Sequence, residues 1–138
     1  MKKSILSLFA FLCLLVGNAR SGDTEPKDFE SFWKKLHSAI IKKDYTTLSQ
    51  FVEFPLIVEG NREASGTQTV KKDGFPEFFS GYLSRTSEDM TRYDLLRAKK
   101  ELSEEDLTLI NDGSATIDDM EFQKIDGRWK LVYIYANK

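Results

Sequence analysis

The sequence predicts an α+β domain, a bent antiparallel sheet packed on about three N-terminal helices, and three observations predict it. Residues 117–135 hold two alternating apolar runs on either side of Asp126-Gly127, the dipeptide that suits a two-residue hairpin turn. Upstream, Phe29, Phe32, Trp33, Leu36 and Ile40 recur at steps of three and four, the period of a helix with one buried stripe. Between these, residues 54–58 (Phe-Pro-Leu-Ile-Val) are apolar and β-branched and stop at Gly60-Asn61. That pattern reads as a strand, with Pro55 confined to its start or to an edge because it has no N–H to give a ladder.

The elements follow in order. Lys2 and Lys3, an apolar run over residues 5–16 and the small or polar residues Gly17, Ala19 and Ser21 make the three parts of a secretory signal peptide, so residues 1–21 are expected to be removed and residues 22–138 to form one domain. The apolar run is shorter than the roughly 20 residues that span a bilayer, so no stable membrane span is expected after cleavage. Cleavage after Ala19 or Ser21 would discard Cys13, the single cysteine, and leave a chain that forms no disulfide. The expected location is exported, periplasmic or extracellular. Loss of Lys2, Lys3 and Arg20 would leave 17 basic against 22 acidic residues, a net charge of −5. The lysines come as scattered pairs and not as a stripe, which argues against nucleic acid as a partner.

The first helix is expected over residues 28–43 with Asp28 as its cap, and a second, short one after Asp44, with Tyr45, Leu48 and Phe51 on its apolar side. The strand at 54–58 is followed by a loop and a return strand at 67–70. Asp73 then opens a helix over 74–83, where Phe75, Phe78, Phe79 and Tyr82 form a wide apolar stripe. Over 84–111, Leu95, Leu96 and Leu102 suit a helix or a strand edge, and the alternation at 106–110 suggests a strand ending at Asn111-Asp112-Gly113. Ile117 and Met120 are three apart and cannot share a face of a regular strand. A bulge at Asp118-Asp119 would restore the phase and put Ala115, Ile117, Met120 and Phe122 on the inner side. With the turn at Asp126-Gly127, Phe122 faces Leu131 and Met120 faces Tyr133. Trp129, Leu131, Tyr133 and Tyr135 then point inward, and Lys130, Val132 and Ile134 outward.

This order of elements, together with Phe51 to Leu56 and the closing Asp-Gly-Arg-Trp-Lys-Leu-Val-Tyr-Ile of residues 126–134, resembles the nuclear transport factor 2-like (cystatin-like fold) superfamily over most of residues 28–136. The resemblance implies a cone-like domain whose bent sheet wraps around the helices and leaves a pocket on its concave side. The superfamily includes ketosteroid-isomerase-like enzymes, dehydratases, binding domains and many exported bacterial proteins of unknown role, so it does not settle the chemistry.

No phosphate loop, nucleophile elbow or metal motif occurs, and no cofactor is expected. His37, the single histidine, lies at the edge of the first helix's stripe and reads as a boundary side chain rather than a general base. With no second histidine and no mature cysteine a zinc site is not expected, and neither Glu104-Glu105-Asp106 nor Asp118-Asp119 has the ligand spacing of an EF-hand loop. No catalytic residue is assigned. The expected function is a noncatalytic domain that binds a small apolar ligand or a protein, with a pocket lined by Trp33, Phe79, Tyr82, Asp119, Phe122 and Tyr133. Val132 and Ile134 are the expected face of a homodimer. The alternative is a ketosteroid-isomerase-like or dehydratase-like enzyme in which a pocket carboxylate, Asp118 or Asp119, works with one of Tyr45, Tyr82, Tyr133 and Tyr135.

Overall fold

The computed structural model describes residues 21–60 and 66–135. The expected signal segment, apart from Ser21, and most of the loop before residue 67 lie outside the described residues. The chain runs α1 (Ser21–Ile41), α2 (Tyr45–Gln50), β1 (Val52–Glu59), β2 (Thr67–Val70), a 3-10 turn at Lys72–Gly74, α3 (Phe75–Leu83), β3 (Thr86–Ser87), β4 (Met90–Thr91), α4 (Arg92–Ala98), α5 (Glu104–Thr108), β5 (Ile110–Asn111), β6 (Ser114–Ile117), β7 (Met120–Ile125) and β8 (Arg128–Tyr135). Helices therefore pack on a curved six-stranded sheet in the order β2-β1-β8-β7-β6-β5, with β3 and β4 as a separate ribbon. Neighbours are antiparallel except β1 and β8, which are parallel.

Two-residue turns set the sheet's register. Asp126 and Gly127 both have positive φ (50° and 76°), as do Asp112 and Gly113 (48° and 74°), the backbone whose twist suits tight hairpins. The chain also reverses at Asp118-Asp119, where Ile117 pairs with Met120 and Asp118 has φ 54°. The bulge expected there is thus a turn between two strands. The inward set survives, because two intervening residues keep Ile117 opposite Met120, and Ala115, Ile117, Met120 and Phe122 are all fully buried.

The bulge lies on β8 instead. Phe122 faces Leu131 as expected, but Glu121 faces Tyr133 and Met120 faces Ile134, so Val132 is an extra residue with no partner on β7. This corrects the expected faces. Ile134 is 0% exposed, at the centre of the inner row Val58–Ile134–Met120–Ile117, while Tyr133 and Tyr135 are half-buried on the outer face. The swap is physically favourable, since an isoleucine has no polar atom to satisfy and a tyrosine hydroxyl can reach a partner at the surface. Ile134 therefore cannot belong to a dimer face, and Val132 is only half-buried.

Other boundaries move for local reasons. α1 passes through Pro26, so Asp28 is not its cap but forms an ion pair with Lys124 at 3.5 Å, and the Glu25 carboxylate accepts the Gly113 N–H. Asp44 does cap α2, accepting the Thr47 N–H at 3.2 Å. Pro55 falls between Val52 and Ile57, where the β1–β8 register shifts and before pairing with β2 begins, so no ladder bond needs its missing N–H. Residues 104–108 are helical, not a strand, because Ser103 forms a capping box with Asp106: each side chain bonds the other's backbone N–H. Only Ile110–Asn111 of that alternating run joins the sheet.

Candidate functional site

The stripe of α1 and the inner face of the sheet meet in a packed aromatic cluster. Phe122 lies 5.3 Å from Phe29, 5.6 Å from Phe32 and 6.3 Å from Trp33 between ring centroids, and Phe29 stands edge-on to Trp129 at 4.9 Å. Such spacings are those of contacting rings with no room for a ligand between them. A second cluster joins Phe75, Phe79 and Tyr82 of α3, with Phe79 5.1 Å from Phe75 and 5.3 Å from Tyr82. Of the expected pocket lining, Trp33, Phe79, Tyr82, Asp119 and Phe122 are thus buried, in two packed groups. Tyr133 is not with them. It lies on the opposite face of the sheet, placed there by the extra residue at Val132.

One expected pairing does form. The Tyr82 hydroxyl donates to Asp119 Oδ1 at 2.6 Å, and Arg92 Nη2 meets the other oxygen, Oδ2, at 2.8 Å. Three elements supply this group: the last turn of α3, the first residue of α4 and the β6–β7 turn. Asp119 is 2% exposed, and its carbonyl also accepts the Tyr135 N–H at 2.8 Å, which fixes the turn to the end of β8. Burial pushes the Asp119 carboxyl above the ordinary range, although the Tyr82 hydrogen bond and the Arg92 charge oppose this. Burial, and then the Asp119 charge, push the Tyr82 phenol well above its usual value, so it stays protonated as a donor. The Arg92 guanidinium also lies over the Tyr82 ring, 5.7 Å from its centroid. Nothing in the hydropathy pattern marks Arg92; its only sequence signal is its place after Thr91, which caps α4 by accepting the Asp94 N–H.

The other singled-out polar residues join elements. His37, buried on α1, bonds through Nε2 to the Leu96 carbonyl at 2.9 Å, and the Trp33 indole donates to the Lys99 carbonyl at 3.1 Å, so both fasten α1 to the end of α4. Lys99 Nζ bridges Asp106 at 3.1 Å and Asp118 at 3.0 Å. Burial works against its charge, yet the bonds to Asp118 and Asp106 hold its ammonium above the ordinary value. The two acidic stretches weighed for calcium are therefore each engaged by an amine. Among the described residues no group of three or more His, Cys, Asp or Glu could hold a metal ion, and no helix is long and apolar enough to cross a membrane.

The outer face of the sheet carries a different arrangement. Across five strands, Thr69, Ile57, Tyr133, Glu121 and Thr116 lie in one paired row, and Thr67, Glu59 and Tyr135 in the next. The rings of Tyr133 and Tyr135 are 4.5 Å apart, and the Tyr135 hydroxyl donates to Glu121 Oε2 at 2.9 Å. The bond to Glu121 raises the Tyr135 phenol above its usual value, and partial burial with the charges of Glu59 and Glu121 does the same for Tyr133. Ile57, 39% exposed, borders the pair. The chain matches no protein-family model, no curated protein and no solved structure.

Proposed function

We propose that this is an exported, noncatalytic interaction domain of nuclear transport factor 2-like architecture, which meets its partner on its outer surface and not in an internal pocket. One observation carries the reading: the expected interior lining is packed against itself, and Asp119, the carboxylate best placed for chemistry, is taken up by Tyr82 and Arg92. A general base needs reach to substrate and a free lone pair in the right direction. Here each carboxylate oxygen is already aimed at a donor, and at 2% exposure the side chain is out of reach of a substrate. The α+β architecture supports the fold-level resemblance, with a long first helix against a curved sheet that ends in a long strand.

A second reading, an isomerase-like enzyme, is favoured by the short Tyr82–Asp119 hydrogen bond, since a carboxylate beside a protonated phenol is the pair that enolate chemistry uses. Both tryptophans report on the interior, because Trp33 and Trp129 flank the Phe29 ring. Titrating the purified protein with a 3-ketosteroid, a lactone and a medium-chain fatty acid is expected to leave tryptophan emission unchanged and to give no turnover. Saturable quenching would place a ligand among the core aromatics and overturn the surface reading. Turnover abolished by Asp119→Asn would establish the enzyme instead.

A further inference from the structure

We propose that the outer sheet face around Tyr133, Tyr135, Glu59 and Glu121 is a recognition surface for a basic polypeptide segment, with an arginine or lysine side chain of the partner laid over the two phenol rings. This rests on the interaction reading above and names the chemistry of the partner. Tyr133 and Tyr135 are two apart on β8, so both rings stand on one side of the strand, and they touch at 4.5 Å. The Tyr135 hydroxyl donates to Glu121 of β7, and the charge of Glu59 on β1 acts on the Tyr133 phenol. That bond runs diagonally between β8 and β7, because the residue directly opposite Glu121 is Tyr133, and Glu59 is directly opposite Tyr135. The Tyr135 bond and the contact between the rings orient the pair before any partner arrives.

Charge decides the occupant. A phenol that donates to a carboxylate carries more electron density on its ring, which strengthens its attraction for a cation above the ring face. A carboxylate has about four acceptor sites, so Glu121, with one phenol, and Glu59 across β8 can accept further donors, such as the fork of a guanidinium. Among the described residues, no salt bridge joins Glu59 or Glu121 to a base. The bases on this side of β8 are Arg128 and Lys130, toward the hairpin turn, and Lys130 is spent on the Gln50 carbonyl. Thr67 and Thr69 of β2 and the exposed Ile57 border the patch, which gives an extended segment hydroxyls and one apolar contact beside its cation.

The test is calorimetric titration of the purified protein with two synthetic decapeptides, one alternating arginine and serine and one alternating glutamate and serine. The basic peptide is expected to bind and the acidic one not. Glu59→Gln with Glu121→Gln, which keeps the shape of both side chains, is expected to weaken binding about tenfold or more, equivalent to about 1.4 kcal/mol. Tyr133→Leu should weaken it as well, through loss of the ring. The control is Glu104→Gln with Glu105→Gln, which removes the same charge from the first turn of α5. If that variant weakens binding as much as the sheet-face pair does, attraction is only to net charge and the proposal fails. It also fails if the basic peptide does not bind. Sedimentation of the wild type closes the remaining case: a dimer abolished by the Glu59/Glu121 double variant would make the face a contact between copies and overturn the basic-partner assignment. Tryptophan emission in the ketosteroid, lactone and fatty-acid titrations separates this inference from the reading it rests on. Absent binding with an unresponsive core refutes the basic partner alone, whereas a core that admits an apolar ligand refutes the surface reading.

Discussion

Tyr82→Phe removes one oxygen from the interior and takes from Asp119 the donor that lies 2.6 Å from its Oδ1. The ring remains, so the packing against Phe79 at 5.3 Å and Phe78 at 6.5 Å is retained and the cost is that of the hydrogen bond. A hydrogen bond to a charged group contributes about 1.5–3 kcal/mol, and at 2% exposure water cannot replace the donor, so the upper half of that range is expected at neutral pH. The same structure fixes the pH dependence. Burial already raises the Asp119 carboxyl, and the Tyr82 bond works against that rise, so its removal raises the carboxyl further in the folded state. A group whose folded pKa is raised contributes most below its unfolded value and loses that contribution as pH rises through the folded value. The variant's deficit should therefore grow with pH. At about pH 3, where Asp119 is protonated folded and unfolded, the loss is that of a neutral hydrogen bond, about 1 kcal/mol. Urea unfolding of wild type and variant at about pH 3 and pH 7, followed by tryptophan emission with equal slopes, measures both values. A cost that is equal at the two pH values, or below about 0.5 kcal/mol at neutral pH, would show that the phenol does not stabilise the ionised carboxylate.

The β8 bulge makes a prediction about two neighbours: Ile134→Ala should cost about 2–5 kcal/mol and Val132→Ala under about 1 kcal/mol. The reverse order in equilibrium unfolding would restore the regular strand. Ser103→Ala should cost about 1 kcal/mol by opening the α5 capping box. Burial opposes the charge of Asp106, but the Ser103 bonds and Lys99 outweigh it and hold the carboxyl below its ordinary value. That contribution is present above the unfolded value and is lost as pH falls through the folded one, so the cost of Ser103→Ala should shrink on acidification. A cost that rises toward low pH in the same unfolding assay would contradict the capping box.

Much of the fold was legible because it is written in local patterns. The α1 stripe, the Asp44 cap, the return strand at Thr67–Val70 and the Asp126-Gly127 turn each depend on residues close in sequence. The misreadings have two physical origins. At residues 132–135 a branched aliphatic alternates with tyrosine, so either parity gives a plausible inner face, and only the ladder to β7 decides between them. At residues 106–110 the alternation signalled a strand, but the Ser103–Asp106 reciprocal bonds cap a helix over most of that run. The candidate site was legible in its members and not in their arrangement. Tyr82 and Asp119 were both singled out and do meet, yet Arg92, which neutralises the pair, stands in a stretch without periodicity. Glu59 and Glu121 escaped notice because each is an ordinary outward residue until the bulge turns the two tyrosines toward them.

The parallel seam between β1 and β8 also bears on how the molecule comes together. β5 to β8 are joined by short reversals, whereas Val52 and Leu131, or Glu59 and Tyr135, are brought together from distant parts of the chain. Closing so long a loop is entropically costly, and contacts of this kind form late. β8 is central in the sheet, with β1 and β2 depending on it for attachment. A growing chain thus cannot seat its first strand until the last one has emerged, and until then the apolar side of β1 has nowhere in the sheet to go.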